Sequence, residues 1–88
     1  MYRVRLLDAA SKDLARLDKS VARRIIQRIE RLADNLEELQ LEALTGELEG
    51  LFKLRVGDYR VVYELIHDEK LVMIHAIGHR REIYRKQK

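Results

Sequence analysis

The spacing of apolar residues changes once along this chain, and the change separates a helical half from a stranded half. Between residues 21 and 36 apolar side chains recur every three or four positions, which predicts an amphipathic helix whose buried stripe is widened by Ile26 and Ala33. From Leu51 onward apolar and polar residues alternate, which predicts strands. Helices followed by a run of strands indicate an α+β domain, with the helices packed on one face of the sheet.

Shorter patterns predict the elements that flank the long helix. Residues 2–7 alternate and predict an N-terminal strand. A short helix is expected after Asp8 or Ser11, and Ser20 is the expected N-cap of the long helix, so that the two helices form an αα-hairpin. Residues 37–50 are predicted to end this helix and to form an irregular connection, because glycines interrupt any regular pattern there.

The stranded half predicts a C-terminal three-strand meander in a mainly antiparallel sheet. Its strands are expected at residues 51–56, 59–65 and 71–77. The pair Gly57-Asp58 is typical of a two-residue hairpin turn, since glycine adopts a positive φ without steric cost. Residues 67–70 predict the second turn. Gly78 is expected to end the last strand, which is apolar enough to lie inside the sheet.

Length and composition exclude several classes of protein. Eighty-eight residues fit one domain, expected to span 1–88. The chain has no cysteine, which excludes a disulfide framework and thiolate chemistry. We expect no signal peptide, because charged residues interrupt the early apolar positions, and no membrane span, because no stretch approaches the roughly 20 apolar residues that a bilayer requires. The cytoplasm is therefore the expected compartment.

Charged residues are distributed unevenly. Residues 37–52 hold five glutamates and no base, and basic segments lie on both sides of them. The last ten residues carry five lysines and arginines and one glutamate. Such a basic tail favours a polyanionic partner, and the alternative is a solvated surface. The outer face of the long helix is also basic and has the same two interpretations.

The predicted hairpin gathers three cations. A two-residue turn at 57–58 places Arg55 opposite Arg60 and puts Lys53 two residues from Arg55, on the same face of the sheet. Like charges directly opposed across two strands are destabilising, so the arrangement predicts an anion between them. The alternative is that Glu64, diagonal to Lys53, and the aspartate of the turn neutralise part of the cluster while the long side chains extend into solvent.

A second group of polar side chains follows the last predicted strand. Within seven residues, 78–84 supply two guanidinium groups, an imidazole and a phenol, from Arg80, Arg81, His79 and Tyr84. Arginine presents a planar fork to phosphate oxygens, and tyrosine and histidine can stack on bases or transfer protons. The basic side chains of Arg55, Arg85 and Lys86 are expected to contact RNA.

Other chemistries have little support in the sequence. Histidines 67, 75 and 79 have no metal-ligand spacing with a carboxylate, so we expect neither a metal nor a cofactor. His75 lies inside a predicted strand and is expected to be packed. The serines lack a nucleophile elbow, and the glycines form no phosphate loop.

Two segments together resemble the RelE/ParE toxin superfamily. They are residues 51–63, which read LFKLRVGDYRVVY, and residues 78–84, which read GHRREIY. The upstream Leu44-x-Gly46 and the two predicted helices fit the same family. The resemblance implies a small RelE-like fold and a toxin of a type II toxin-antitoxin system. RelE-type members cleave messenger RNA in the ribosomal A site, whereas ParE-type members poison DNA gyrase and are not nucleases.

The resemblance also implies roles for individual residues. Positions that match functional positions of the RelE branch are Lys53, Arg60, Arg80 or Arg81, and Tyr84, and several relatives carry a histidine at the position of His79. At Leu51 this sequence departs from the branch, whose type member has a second lysine. The implied activity is a metal-independent, ribosome-dependent endoribonuclease in which the ribose 2′-OH attacks the adjacent phosphodiester. A ParE-type gyrase inhibitor is the alternative, and the implied partners are a RelB-like antitoxin, the ribosome and messenger RNA.

Overall fold

The computed structural model describes residues 1–84, in which two helices pack on one face of a five-stranded sheet. The elements in chain order are β1 (Arg3–Leu6), α1 (Asp8–Ala15), α2 (Lys19–Asp34), β2 (Glu42–Ala43), β3 (Phe52–Val56), β4 (Tyr59–Ile66) and β5 (Leu71–His79). The strands lie in the order β1-β5-β4-β3-β2, with β1 parallel to β5 and the other pairs antiparallel. The predicted α+β fold with its mainly antiparallel sheet is thus confirmed.

The two helices lie where the apolar spacing predicts them, but the N-cap of α1 is Leu7, not Asp8 or Ser11 as expected, because the helix begins at Asp8. The residues that α2 buries are Ile25, Ile29, Leu32 and Ala33. Ile26 is 40% exposed, so the prediction that it widens the buried stripe is wrong. Ser20 is also not the N-cap, because α2 already begins at Lys19, and no side-chain hydrogen bond caps its first turn. The stability of α2 therefore comes from the packing of one face rather than from a cap.

The β3–β4 hairpin has the predicted two-residue turn. Gly57 has φ +59°, the positive value that a type II′ turn requires at its first loop residue. Val56 pairs with Tyr59, and the register continues without a shift to the pair Phe52 and Tyr63. On the side of the helices, the hairpin buries Val56, Val61 and Tyr63 almost completely. This burial fixes the register, because a slip of one residue would exchange the two faces of both strands.

Three features of the sheet differ from the sequence prediction. The connection at 37–50 contains the two-residue strand β2, which pairs with β3 at the sheet edge. β5 continues through Gly78 to His79, since Arg60 pairs with Gly78 across the sheet. A bulge between β4 and β5 makes His75 an extra residue on β5, so that it lies between the partners of Val62 and Tyr63.

Helix α1 covers the part of β5 that β1 does not reach. β1 ends at Leu6, whose partner is Ile74, and leaves the later backbone of β5 without a neighbouring strand on that side. The buried carboxylate of Asp13 accepts the Ile77 N–H there, with an O···N distance of 3.0 Å. A side chain thus takes the place of a strand partner, which a buried backbone donor requires.

The two faces of the sheet carry different groups. The face toward the helices holds the main core, with Val61, Tyr63, Val72, Ile74 and Ile77 at its centre. On the outer face Ile83 is fully buried against Val62 and Ala76, because the chain after β5 folds back over the sheet. None of the helices in residues 1–84 has the length and apolar character needed to cross a bilayer.

Candidate functional site

Lys53 and Arg60 lie on the same outer face of the sheet, as the predicted register requires. Lys53 pairs with Val62 across β3 and β4, and Arg60 lies two residues before Val62. They are therefore diagonal neighbours, about 7–8 Å apart at the backbone and within reach of each other's long side chains. Arg55 directly faces Arg60 on the same face. The predicted opposition of these two arginines is confirmed.

Carboxylates neutralise only part of this cationic face. Glu42 on β2 lies 3.0 Å from Arg55, measured from Oε1 to Nη2. Glu64, the alternative partner predicted for Lys53, instead contacts the bulge residue His75, with 2.9 Å between Oε1 and Nε2. Among residues 1–84, no carboxylate lies at ion-pair distance from Lys53 or Arg60. These two cations are thus available to an anionic ligand.

The local backbone holds Arg60 in place. Its Nη1 donates hydrogen bonds to the carbonyl oxygens of Gly57 and Tyr59, both at 2.9 Å. These bonds fix one edge of the guanidinium and leave its other donors for a ligand. Lys53 is half-buried as a residue, so part of its side chain packs on the sheet.

The segment after β5 brings further functional groups to this end of the sheet. Arg80 donates its N–H to the Asp58 carbonyl at 2.8 Å, which ties the segment to the hairpin turn. The Arg80 and Arg81 side chains are both exposed. Tyr84 is half-buried and packs against the outer-face cluster around Ile83. Tyr84 therefore shares the outer face with Lys53 and Arg60.

His79 has a different environment. It pairs with Tyr59, and the two rings meet edge to face with their centroids 5.8 Å apart. Tyr59 packs against the core beneath the helices, so His79 lies on the helix side of β5. Its Nδ1 accepts the Arg81 N–H at 3.2 Å. Arg85 and Lys86, both predicted to bind RNA, lie outside the described residues.

The remaining titratable groups of residues 1–84 form no further cluster of this kind. Residues 1–84 contain no group of three or more histidines and carboxylates placed to hold a metal ion. Burial, and then the nearby Glu42 carboxylate, raise the pKa of Tyr63 to about 12. Tyr63 therefore keeps its proton at neutral pH and belongs to the core. His75, expected to be packed, is 25% exposed at its side chain on the outer face.

Sequence reasoning missed two residues that shape the site. Glu42 is one of several glutamates in an acidic segment, and nothing in the sequence distinguishes it from the others. Its pairing with Arg55 depends on β2, which is too short to show the alternation of apolar and polar residues that predicts a strand. Arg24 of α2 reaches the hairpin turn, which only the packing of the helix on the sheet reveals. The basic outer face of the long helix was the only signal for Arg24.

Comparisons with known proteins identify relatives along nearly the whole chain. The family model for the ParE toxin of type II toxin-antitoxin system, parDE, matches residues 4–84. Toxin RelE of Mycobacterium tuberculosis is 35% identical over 85 residues, covering 96% of this chain and 87% of that protein. Toxin RelG of the same organism is 31% identical over 87 residues, covering 97% of this chain and 98% of that protein.

A solved structure has the same fold. The crystal structure of the toxin-antitoxin complex RelBE2 from Mycobacterium tuberculosis matches with a TM-score of 0.80 and 26% identity, over 89% of this chain and 96% of that one.

Proposed function

Because this chain belongs to the RelE/ParE superfamily of type II toxin-antitoxin toxins, we propose that it is a ribosome-dependent endoribonuclease that cleaves messenger RNA in the A site. The observation that carries the proposal is the pair Lys53 and Arg60, which share one face of the sheet and lack carboxylate partners within the described residues. A site of this kind suits a phosphodiester that gains negative charge during reaction. The proposed compartment is the cytoplasm, where ribosomes and messages occur.

The proposed reaction is attack by a ribose 2′-OH on its adjacent phosphodiester. The 2′-oxygen bonds to phosphorus, the 5′-oxygen leaves, and the phosphorane between them carries additional negative charge. Lys53 and Arg60 stabilise that charge, and the backbone bonds of Arg60 hold its guanidinium ready without reorganisation. No metal is required for this step. The ribosome contributes by fixing the conformation of the message.

Roles for the remaining residues follow from their positions. Tyr84 on the outer face stacks on a base or, as a phenolate, accepts the 2′-OH proton. Arg80 or Arg81 stabilises the leaving 5′-oxygen, since a guanidinium donates hydrogen bonds but barely gives up a proton. The leaving 5′-oxygen takes its proton from water, with His79 as the alternative acid. The place of His79 on the helix side of β5 leads us to assign it first to holding the Arg81 backbone.

The proposed protein partner is a RelB-like antitoxin. The similar structure from Mycobacterium tuberculosis is described as a toxin-antitoxin complex. An antitoxin that places acidic side chains over Lys53, Arg60 and the arginines of 80–81 would block the approach of RNA. Tight inhibition by such a partner requires about 1,600 Å² of buried surface.

A second candidate function is gyrase inhibition of the ParE type. The family model that matches residues 4–84 is described as the ParE toxin, which favours this alternative. A gyrase inhibitor acts as a binding module and does not require Tyr84 next to a scissile phosphate. The relatives named RelE and RelG favour the nuclease.

Primer extension on messages from cells expressing the chain separates the two functions. The nuclease predicts cuts in phase with codons, and these cuts should disappear in Arg60→Gln. Arg3→Gln is the matched control, because Arg3 is an exposed arginine of β1 and its loss changes the net charge equally. Double-strand breaks in DNA that depend on gyrase, with uncut messages, would refute the nuclease and support the alternative.

A further inference from the structure

An arginine of α2 reaches the hairpin turn from the side opposite the candidate site. A Cβ built on Gly57 would lie 3.1 Å from Nη2 of Arg24 and 3.8 Å from its Cζ. The guanidinium therefore lies against the turn. Arg24 is exposed, and within the part of the chain that the structure describes it has no hydrogen bond or ion pair through its side chain.

Two further arginines meet the same turn. Arg60 donates to the Gly57 carbonyl at 2.9 Å. Arg80 donates its N–H to the Asp58 carbonyl, and its Nε lies 3.9 Å from the Asp58 carboxylate. We call Arg24, Arg60 and Arg80 the turn cluster. Their three positive charges face one carboxylate, which is exposed and at the limit of ion-pair distance from Arg80, so the turn cluster is left with an excess of positive charge.

The chemistry of the turn cluster fits a nucleic-acid backbone better than a protein. Anchors of protein interfaces, most often tryptophan, tyrosine or arginine, lie in packed pockets that exclude water, whereas contacts to phosphates are polar, cationic and exposed to water. The large apolar side chains that are exposed in residues 1–84 are Met1, Leu7, Ile26 and Leu39. Of these, only Ile26 belongs to an element that meets the turn. It lies two residues from Arg24, about 200° around α2 and therefore away from the turn cluster.

A different surface offers what an amphipathic acidic peptide requires. The groove beside α2 has Leu32, Leu39 and Leu54 in its walls, with Arg28 and Arg31 next to them. A peptide with alternating leucines and glutamates would find apolar contacts there and none at the turn cluster. The ligand expected at the turn is therefore one that presents negative charge without apolar side chains.

We propose that Arg24 binds a backbone phosphate of RNA, so that the RNA path continues from Arg60 around the hairpin turn to α2. This inference rests on the proposed function, because the same RNA would present its scissile phosphate to Lys53 and Arg60. Arg24 is a binding residue, and it contacts a phosphate outside the reacting one. Its removal should raise KM and leave kcat unchanged, the pattern of an interaction that is equal in the ground state and the transition state.

The test measures binding of a fluorescein-labelled single-stranded oligoribonucleotide by anisotropy at several salt concentrations. Arg24→Gln should weaken binding by about 10-fold or more, as expected for one charge-assisted phosphate contact. The slope of log K against log salt should fall by about 0.7, the value for one phosphate of a single strand. Arg23→Gln is the matched control on the same helix and should bind like the wild type. Arg24→Lys keeps the charge and should retain most of the affinity and the full salt slope.

The outcomes separate this inference from the proposed function. Equal binding by Arg24→Gln and Arg23→Gln, or no salt-dependent RNA binding by the wild type, would overturn the role of Arg24. Poly-L-glutamate serves as a second, proteinaceous polyanion in the same measurement. If Arg24→Gln loses binding to poly-L-glutamate while its RNA binding is unchanged, the role of Arg24 is also overturned, because the turn cluster would then serve a protein partner. If Arg24→Gln does not fold, Arg24→Ala decides in its place, and unchanged affinity and salt slope in that folded variant contradict the proposal. A wild type that leaves ribosome-bound messages intact refutes the nuclease, while the Arg24 effect on RNA affinity still supports the phosphate contact.

Discussion

Replacing Asp13 should destabilise the fold more than any other single polar substitution on α1. Asp13 is 8% exposed as a residue, and its carboxylate accepts the Ile77 N–H at 3.0 Å. No strand can replace this acceptor, because β1 ends at Leu6 and pairs only as far as Ile74. Asp13→Ala would leave a buried N–H without its partner, at a point between the core and the segment that carries the candidate site.

The magnitude follows from the kind of hydrogen bond that is lost. A hydrogen bond to a charged group contributes about 1.5–3 kcal/mol, and a buried donor left unpaired incurs its full desolvation penalty. We therefore expect Asp13→Ala to lower the free energy of unfolding by about 2–3 kcal/mol. For a domain of this size that corresponds to a fall in Tm of roughly 8–24 °C. Asp13→Asn keeps a neutral acceptor and should lower the free energy of unfolding by about half as much as Asp13→Ala.

Urea unfolding followed by circular dichroism measures the loss of stability in Asp13→Ala and in Asp13→Asn. Asp8→Ala is the control, because Asp8 lies exposed in the first turn of the same helix. Hydrogen exchange adds a local measurement, since the Ile77 amide should exchange faster in Asp13→Ala than in the wild type. If Asp13→Ala unfolds at the same urea concentration as Asp8→Ala, the carboxylate does not stabilise the unpaired part of β5, and our explanation of that edge is wrong.

Three further predictions concern the site, the partner and the core. Replacing Arg60 or Tyr84 with Ala should relieve growth arrest with the fold retained by circular dichroism, and full toxicity of both variants would defeat the proposed site. The rate of association with an antitoxin should fall as salt rises, and it should fall less for a variant in which Lys53, Arg80 and Arg81 are all replaced by Gln. If the wild type and this variant have the same association rate and the same salt dependence, the acidic groups of the antitoxin act on another surface. Below pH 10 stability should not change with the ionisation of Tyr63, because its phenol is protonated in both the folded and the unfolded chain. Between pH 10 and 12 the unfolded phenol loses its proton while the folded one retains it, so stability should fall by at most about 2.7 kcal/mol, and Tyr63→Phe should lack this fall.

The β3–β4 hairpin could be predicted in detail because its signals are local. The two-residue turn, with glycine first, and the strict alternation on both strands admit one register, and that register opposes Arg55 to Arg60. The shared face of Lys53 and Arg60 followed from the same pattern. Predictions of this kind succeed where turn chemistry and hydrophobic period agree.

The features that sequence reasoning missed depend on contacts between distant segments. β2 is two residues long and shows no period, so its ion pair between Glu42 and Arg55 was not foreseen. The bulge that directs His75 toward Glu64 depends on how β5 fits against β4. Ile26 has the spacing of a buried residue, yet α2 contacts the sheet over a narrower stripe than its apolar residues cover. Arg24 reaches Gly57 only because α2 crosses the end of the hairpin.

The core of this small domain also determines the geometry of its candidate site. Residues of β3 and β4 alternate between the two faces, so burial of Val56, Val61 and Tyr63 places Lys53 and Arg60 on the opposite face. A slip of one residue would drive these cations into the core, where an unpaired charge costs several kcal/mol. The packing that stabilises the hairpin therefore also holds two like charges side by side. Without this packing, the mutual repulsion of the two cations would move them apart. Substitutions that weaken the inner face of the hairpin should for this reason impair the cationic face before they unfold the chain.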